Sequence, residues 1–190
     1  MVRLQSDEYR DTWDVWERTR WLVGPSGARC TTELKKRVRH KFQRPDDIQV
    51  FGYTAEEVDR AERFRKQNFE VTLETPLIEA GLTKSDCLAM IERAGIEIPA
   101  MYRLGYTNNN CIGCVKGGAG YLNKIRRDFP EVFNRMAKLE REIGATILKV
   151  KGERIFLDEL DPTVGKHQDE PDISCSLLCQ IAEERYDDRR

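Results

Sequence analysis

The sequence predicts an α/β protein with a small sheet and flanking helices. Three observations predict it: short β-branched runs alternate with longer amphipathic stretches, the helical stretches outnumber the strands, and turn residues separate the two. From Asp7 to Leu22 the spacing predicts an amphipathic helix, with Trp13, Val15 and Trp16 among charges and packing into a core. Gly24-Pro25-Ser26-Gly27 breaks it. The basic stretch Cys30 to Phe42 follows, with Leu34 and Val38 on one helical face. Ile48 to Tyr53 reads as a strand, Ala55 to Gln67 as a charged helix, and Glu70 to Leu73 as a second short strand. Thr83 caps a helix ending near Gly95, Asp86 completing an approximate capping box; Leu88, Met90 and Ile91 form its apolar face. Pro130 opens a helix through Ile143, since proline fits a first turn. Ile147 to Val150 and Arg154 to Leu157 flank Lys151-Gly152-Glu153 as a hairpin, and Cys175 to Arg185 reads as a last short helix. No clean boundary is visible, so one domain is expected, with a partial α/β core over 1–80. A helical metal-binding region with the hairpin would fill 81–190.

Composition narrows the function classes. The 190 residues carry 34% charged side chains and a formal net charge of −1, so no global field attracts nucleic acid or membrane. MVRLQSDEYRD has no apolar stretch after its basic residue, which argues against a secretory signal, and no run approaches a bilayer span. A cytoplasmic setting is therefore expected. There, six cysteines read as reduced thiols or metal ligands.

Cys111-Ile-Gly-Cys114 is the strongest local signal. Two intervening residues let both sulfurs reach one ion or cluster, and Gly113 relaxes the turn. Standing alone, the pair fits a redox dithiol, half of a zinc site, part of an iron–sulfur site, or no site at all. Cys30 stands earlier by 80 intervening positions, 31 to 110, and Cys175 and Cys179 share one helical face near the end. Cys30, Cys111, Cys114 and either Cys175 or Cys179 make a four-thiolate set, which suits zinc and iron–sulfur equally. Cys87 reads as a packing residue.

Val115-Lys-Gly-Gly-Ala-Gly-Tyr121 and the following Leu-Asn-Lys-Ile-Arg-Arg127 place glycines and Lys116, Lys124, Arg126 and Arg127 beside the pair. Glycine backbone at a helix start suits an anion or offsets a charged cluster; the plainer alternative is a turn before a solvated basic helix. Asn108, Asn109 and Asn110 supply amides for sulfur or a base edge, or form a polar turn. His40 and His167 are isolated, as surface histidines are, and no Ser/His/Asp grouping is present.

These segments resemble the phosphoadenosine phosphosulfate reductase family, particularly unassigned members encoded by phages and bacteria. The likeness is carried by Cys30-Thr-Thr-Glu-Leu-Lys35-Lys36, by Gly52-Tyr-Thr-Ala-Glu-Glu57-Val-Asp-Arg60, and by Thr75 to Pro162. NNNCIGCVKGGAGYLNKIRRDFPEVF, from Asn108 to Phe133, is its most specific part; the whole runs from about Asp11 to Cys179. The resemblance implies a partial adenine nucleotide α-hydrolase-like fold: a small parallel sheet with flanking helices and a helical cysteine-rich C-terminal region. It further implies a four-iron four-sulfur cluster on Cys30, Cys111 and Cys114, with zinc as the alternative. Lys35, Lys36, Glu57 and Arg60 match the family's cleft for an adenylated or sulfur-bearing substrate, and Lys116, Arg126 and Arg127 would steer anions. The chain departs from the pattern in three places. Arg29 stands where a second cysteine is expected, the Ser-Gly-Gly-x-Asp-Ser-like nucleotide loop is absent, and so is the Glu-Cys-Gly-x-x-His-like catalytic segment. The expectation is thus one half of a split sulfonucleotide reductase-like or sulfur-transfer enzyme, with a partner chain supplying the loop. Two alternatives are a zinc-stabilised, non-enzymatic module that binds nucleic acid or protein through Lys35 to Lys41, and a decayed fragment.

Overall fold

The computed structural model describes residues 2–25 and 27–165. It is a mixed α/β chain with three two-stranded sheets among the described residues, one of them parallel. Two compact units form, one from the described parts of Met1–Phe42 and Gly105–Arg190, the other from Gln43–Leu104. The first unit thus joins described residues before 43 to described residues after 104.

In the first unit, Thr12–Thr19 is helical, shorter at both ends than the hydrophobic spacing implied. Asp11 sets the start by accepting from the Asp14 amide at 2.8 Å, and Arg20 ends it in a left-handed conformation. Val15 and Trp16 are buried, and Trp13 meets the Trp16 ring edge-on at 5.2 Å. Val23–Gly24 pairs antiparallel with Gly27–Ala28, returning the chain to a helical run. That run begins at Arg29–Thr31, passes through a π turn at Thr32–Lys36, and ends at Arg37–Phe42. Buried Glu33 faces inward from the π turn, ion-paired to Arg29 at 2.9 Å and Arg37 at 2.6 Å.

The rest of this unit is built on two consecutive helices, Ala119–Asp128 and Pro130–Ile143. Proline forces the residue before it out of the helical region, so Phe129, at φ −138°, ends one helix and caps the next. Tyr121, Leu122 and Ile125 face Phe133, Met136 and Leu139 as the buried seam. Gly144, at φ +75°, closes the second helix with its amide donating to the Glu140 carbonyl at 2.8 Å. Leu148–Val150 and Glu153–Ile155 form the antiparallel hairpin that the Lys-Gly-Glu turn predicted. Arg126 then ties down the following loop by donating to the Leu157 and Leu160 carbonyls at 3.0 and 2.9 Å.

In the second unit Ile48–Val50 and Thr72–Glu74 make the parallel pair, with Val58–Gln67 as the crossover helix. Thr83 and Asp86 form the reciprocal capping box at the head of Lys84–Arg93. The apolar face of that helix needs one correction. Leu88 and Ile91 are half-buried, but Met90 is 47% exposed because it lies 200° around the helix from Leu88. Ala61, Thr75 and Met101 are the buried side chains of this unit among the described residues. No helix of the described chain is long and apolar enough to cross a membrane. The expected helix from Cys175 to Arg185 lies outside the described residues.

Glu140 is fully buried and its carboxylate accepts from the backbone amides of Ile147 and Leu157, the latter at 2.6 Å. Burial nonetheless dominates and raises its pKa from 4.5 to about 7. The folded state therefore holds this proton more tightly than the unfolded chain does. Its contribution to stability is full below the unfolded value and is lost as pH rises through about 7. Glu140→Gln is expected to flatten the fall in unfolding free energy between about pH 5 and about pH 7.5, a difference of at most about 3 kcal/mol. Urea titrations of both proteins at the two pH values measure it.

Candidate thiolate site

Cys30, Cys111 and Cys114 all belong to the first unit, and each is half-buried. With Cys87 of the second unit they are unbridged thiols. The site is a loop and a helix start held together by one phenol. Cys114 donates its amide to the Cys111 carbonyl at 3.0 Å, closing a tight turn. Tyr121, wholly buried in the first turn of the Ala119–Asp128 helix, reaches back across that turn. Its hydroxyl donates to the Cys111 carbonyl at 2.6 Å and accepts from the Cys114 amide at 3.2 Å. Both ends of the Cys-x-x-Cys segment are thereby fixed to a rigid element. Burial pushes the Tyr121 hydroxyl pKa far up, so it stays protonated and able to donate.

Two glycines make this geometry accessible. Gly113 has φ +77°, and a Cβ there would meet Met136 Sδ at 2.6 Å and Val132 Cγ1 at 2.8 Å. A Cβ on Gly117 would drive into the Tyr121 ring. The first is the turn relaxation read from the sequence. The second is a packing demand with no sequence signal of its own.

Cys30 lies at the head of the π-interrupted helical run, against which the Thr12–Thr19 helix packs. Burial raises its thiol pKa, while the charges of Lys35 and Lys116, the Thr31 amide and the Trp16 side chain act to lower it. Lys116 stands two residues past Cys114, so the charge of the Cys-x-x-Cys loop is felt at Cys30. Lys116 itself is exposed and forms no ion pair among the described residues. Among the described residues, no three His, Cys, Asp or Glu side chains are gathered as one ligand group. Cys175, Cys179 and His167 lie outside the described residues.

The other basic candidates are more committed. Lys124 is buried and ion-paired to Asp128 at 2.8 Å, with its ammonium over the Tyr106 ring at 3.9 Å. Burial works against the Asp128 carboxylate, yet hydrogen bonds from Arg127, Lys124 and Tyr106 prevail and hold its pKa at about 2. Arg127 is exposed and pairs with Asp128 at 2.8 Å. Arg126 stacks on Phe133 at 4.2 Å while it binds the two loop carbonyls. Lys124, Arg126 and Arg127 still line one concavity of about 320 Å³ with Gly120, Asn123 and Val164. Lys36 is exposed. Glu57 and Arg60 belong to the second unit, where Glu57 caps the Thr54 amide at 3.2 Å and pairs with Arg60 at 2.7 Å.

Two polar groups beside the thiols stand out by their burial: Asn110, one of the three asparagines read from the sequence as amide donors, and Trp16, read as a packing residue. Asn110, next to Cys111, is 0% exposed, and neither its Oδ1 nor its Nδ2 has a hydrogen-bond partner. The three asparagines read as amide donors and as a polar turn with equal force; for Asn110 a solvated turn does not fit full burial. Trp16 is 3% exposed, and its Nε1–H also meets no acceptor in hydrogen-bond geometry.

No family model matches the chain, and neither the curated proteins nor the solved structures yield a match.

Tyr121→Phe removes the hydroxyl that bridges the cysteine turn and is expected to cost about 1–2 kcal/mol. The Cys114 amide should then exchange its hydrogen faster in solvent while the Pro130–Ile143 amides stay protected. Hydrogen exchange followed residue by residue reads both.

Proposed function

We propose that this chain carries a thiolate-bound metal centre, an iron–sulfur cluster, on Cys30, Cys111 and Cys114. Cys175 or Cys179 supplies the fourth sulfur. One observation carries the reading: the Cys111–Cys114 turn is braced at both ends by the buried Tyr121 hydroxyl, in the same compact unit as the unbridged thiol of Cys30. The donor chemistry also fits, since these are free thiols on a turn braced from a rigid helix, and the residue before Cys111, Asn110, has a buried amide with no partner. Gly165 packs on the backbone of Gly120 in the helix that braces the turn. Cys175 follows it by 10 residues and Cys179 by 14, a tether of up to roughly 3.3 Å per residue. A bound cluster would supply one-electron chemistry or a rigid anionic anchor. This chain's residues hold the sulfurs, limit water and, through Lys116 and Lys35, offset negative charge.

The wider reading is a phosphoadenosine phosphosulfate reductase-like protein with a partial adenine nucleotide α-hydrolase-like fold. It would be one half of a split enzyme for an adenylated or sulfur-bearing substrate, completed by a chain that supplies the nucleotide loop. The parallel pair Ile48–Val50 and Thr72–Glu74 with its helical crossover supports that fold. The alternative, a zinc-stabilised nucleic-acid-binding module, draws less support. Within its basic segment Arg37 is paired with Glu33 and Lys41 with Asp7, so part of the charge meant for phosphates is used internally.

Anaerobic purification followed by iron, sulfide and zinc analysis tests the centre. Iron with acid-labile sulfide is expected, lost in Cys30→Ala, Cys111→Ala and Cys114→Ala and kept in Cys87→Ala. Stoichiometric zinc without iron would replace the cluster with a zinc site, and a chain free of either metal overturns both.

A further inference from the structure

A buried amide with both its donor and its acceptor unused is destabilising, because its water has been stripped and nothing replaces it. Natural structures keep few such groups, and those they keep ask for a partner. Here two unsatisfied buried N–H groups border the thiolate site from different elements. Asn110 approaches from the loop, one residue before Cys111, and is fully buried. Trp16 approaches from the Thr12–Thr19 helix, which packs on the Arg29–Thr31 turn holding Cys30. The Asn110 amide makes no hydrogen bond within the protein, and the Trp16 N–H meets no acceptor in hydrogen-bond geometry, its side chain acting on the Cys30 thiol. A leucine of the same branched shape would fill the place of Asn110 without a penalty for burying polar atoms, and phenylalanine would replace most of the apolar bulk of Trp16.

Sulfur ligands explain both. A metal-bound thiolate carries negative charge and accepts weak N–H hydrogen bonds, and such outer contacts orient ligands and tune the centre. We infer that the Asn110 carboxamide and the Trp16 indole N–H are positioning residues of the metal centre, donating to the sulfurs of Cys111 and Cys30. The inference rests on the metal reading above and adds what the protein does to the sulfurs once they are ligated. It also accounts for the composition of the loop. Asn110 remains an amide because the loaded site uses it, at the expense of the empty chain.

Cobalt(II) alone, titrated anaerobically into the reduced, metal-free full-length chain, is the probe. Thiolate-to-cobalt charge-transfer absorption reports binding, and the thermal midpoint of the metal-free chain reports packing. Asn110→Leu is expected to weaken cobalt binding by roughly tenfold or more and to move the charge-transfer band to longer wavelength. Its metal-free thermal midpoint should be equal to or above that of the wild type. That combination is opposite to the one a structural asparagine gives. Trp16→Phe should shift the same band in the same direction. Binding or a band position unchanged in Asn110→Leu, or a lowered metal-free midpoint, overturns the inference and leaves the metal reading standing. A wild-type chain that takes no cobalt through its thiolates overturns both.

Discussion

One phenolic hydroxyl holds the Cys-x-x-Cys loop to the helix that follows it. Tyr121 reaches the carbonyl of Cys111 and the amide of Cys114 at once, from the first turn of a helix whose opposite neighbours form the main buried seam. A two-residue loop between cysteines has little rigidity of its own. Coupling it to a helix makes the sulfur positions as well defined as the helix packing. Gly117 is kept small by the ring that makes the contact, and Gly113 by Val132 and Met136 of the next helix. The sharp break at Phe129-Pro130 then matters for the site, because it sets how that next helix lies against the first.

Charge around the loop follows a similar logic. The stretch after Cys114 is rich in cations, yet each has a different employment. Lys124 is buried against Asp128 and Tyr106, Arg126 binds carbonyls of the loop after the hairpin, and Arg127 leans on Asp128 from the surface. Asp128 is the hub, its low pKa recording how many donors it satisfies. Lys116 is exposed without an ion pair among the described residues, and its charge acts on Cys30. A basic cluster in sequence is therefore part scaffold and part field.

The second unit has a different character. Its parallel strands are joined through a helix, as parallel strands require, but few of its side chains are buried. Glu57 and Arg60, which the family resemblance would assign to a substrate cleft, are engaged with one another and with the cap at Thr54. Such pairing leaves their positions well defined, as a cleft residue's must be, and makes them equally good supports of the helix start.

What the sequence determined by itself was local. Pro130 and Gly144 bound one helix, Thr83 and Asp86 cap another, Lys151-Gly152 turns a hairpin, and two residues between Cys111 and Cys114 set a tight thiol turn; each follows from backbone sterics within a few residues. The ends of the first helix and the facing of Met90 differ from what hydrophobic spacing implies, since which side of a helix packs depends on neighbours beyond its own turns. Tertiary structure alone decided that residues before 43 and after 104 share one unit, that Tyr121 braces the cysteines, and that Asn110 and Trp16 are buried without partners. Burial and hydrogen-bond satisfaction are properties of what surrounds a side chain, and contacts made across 80 residues leave no periodicity to read.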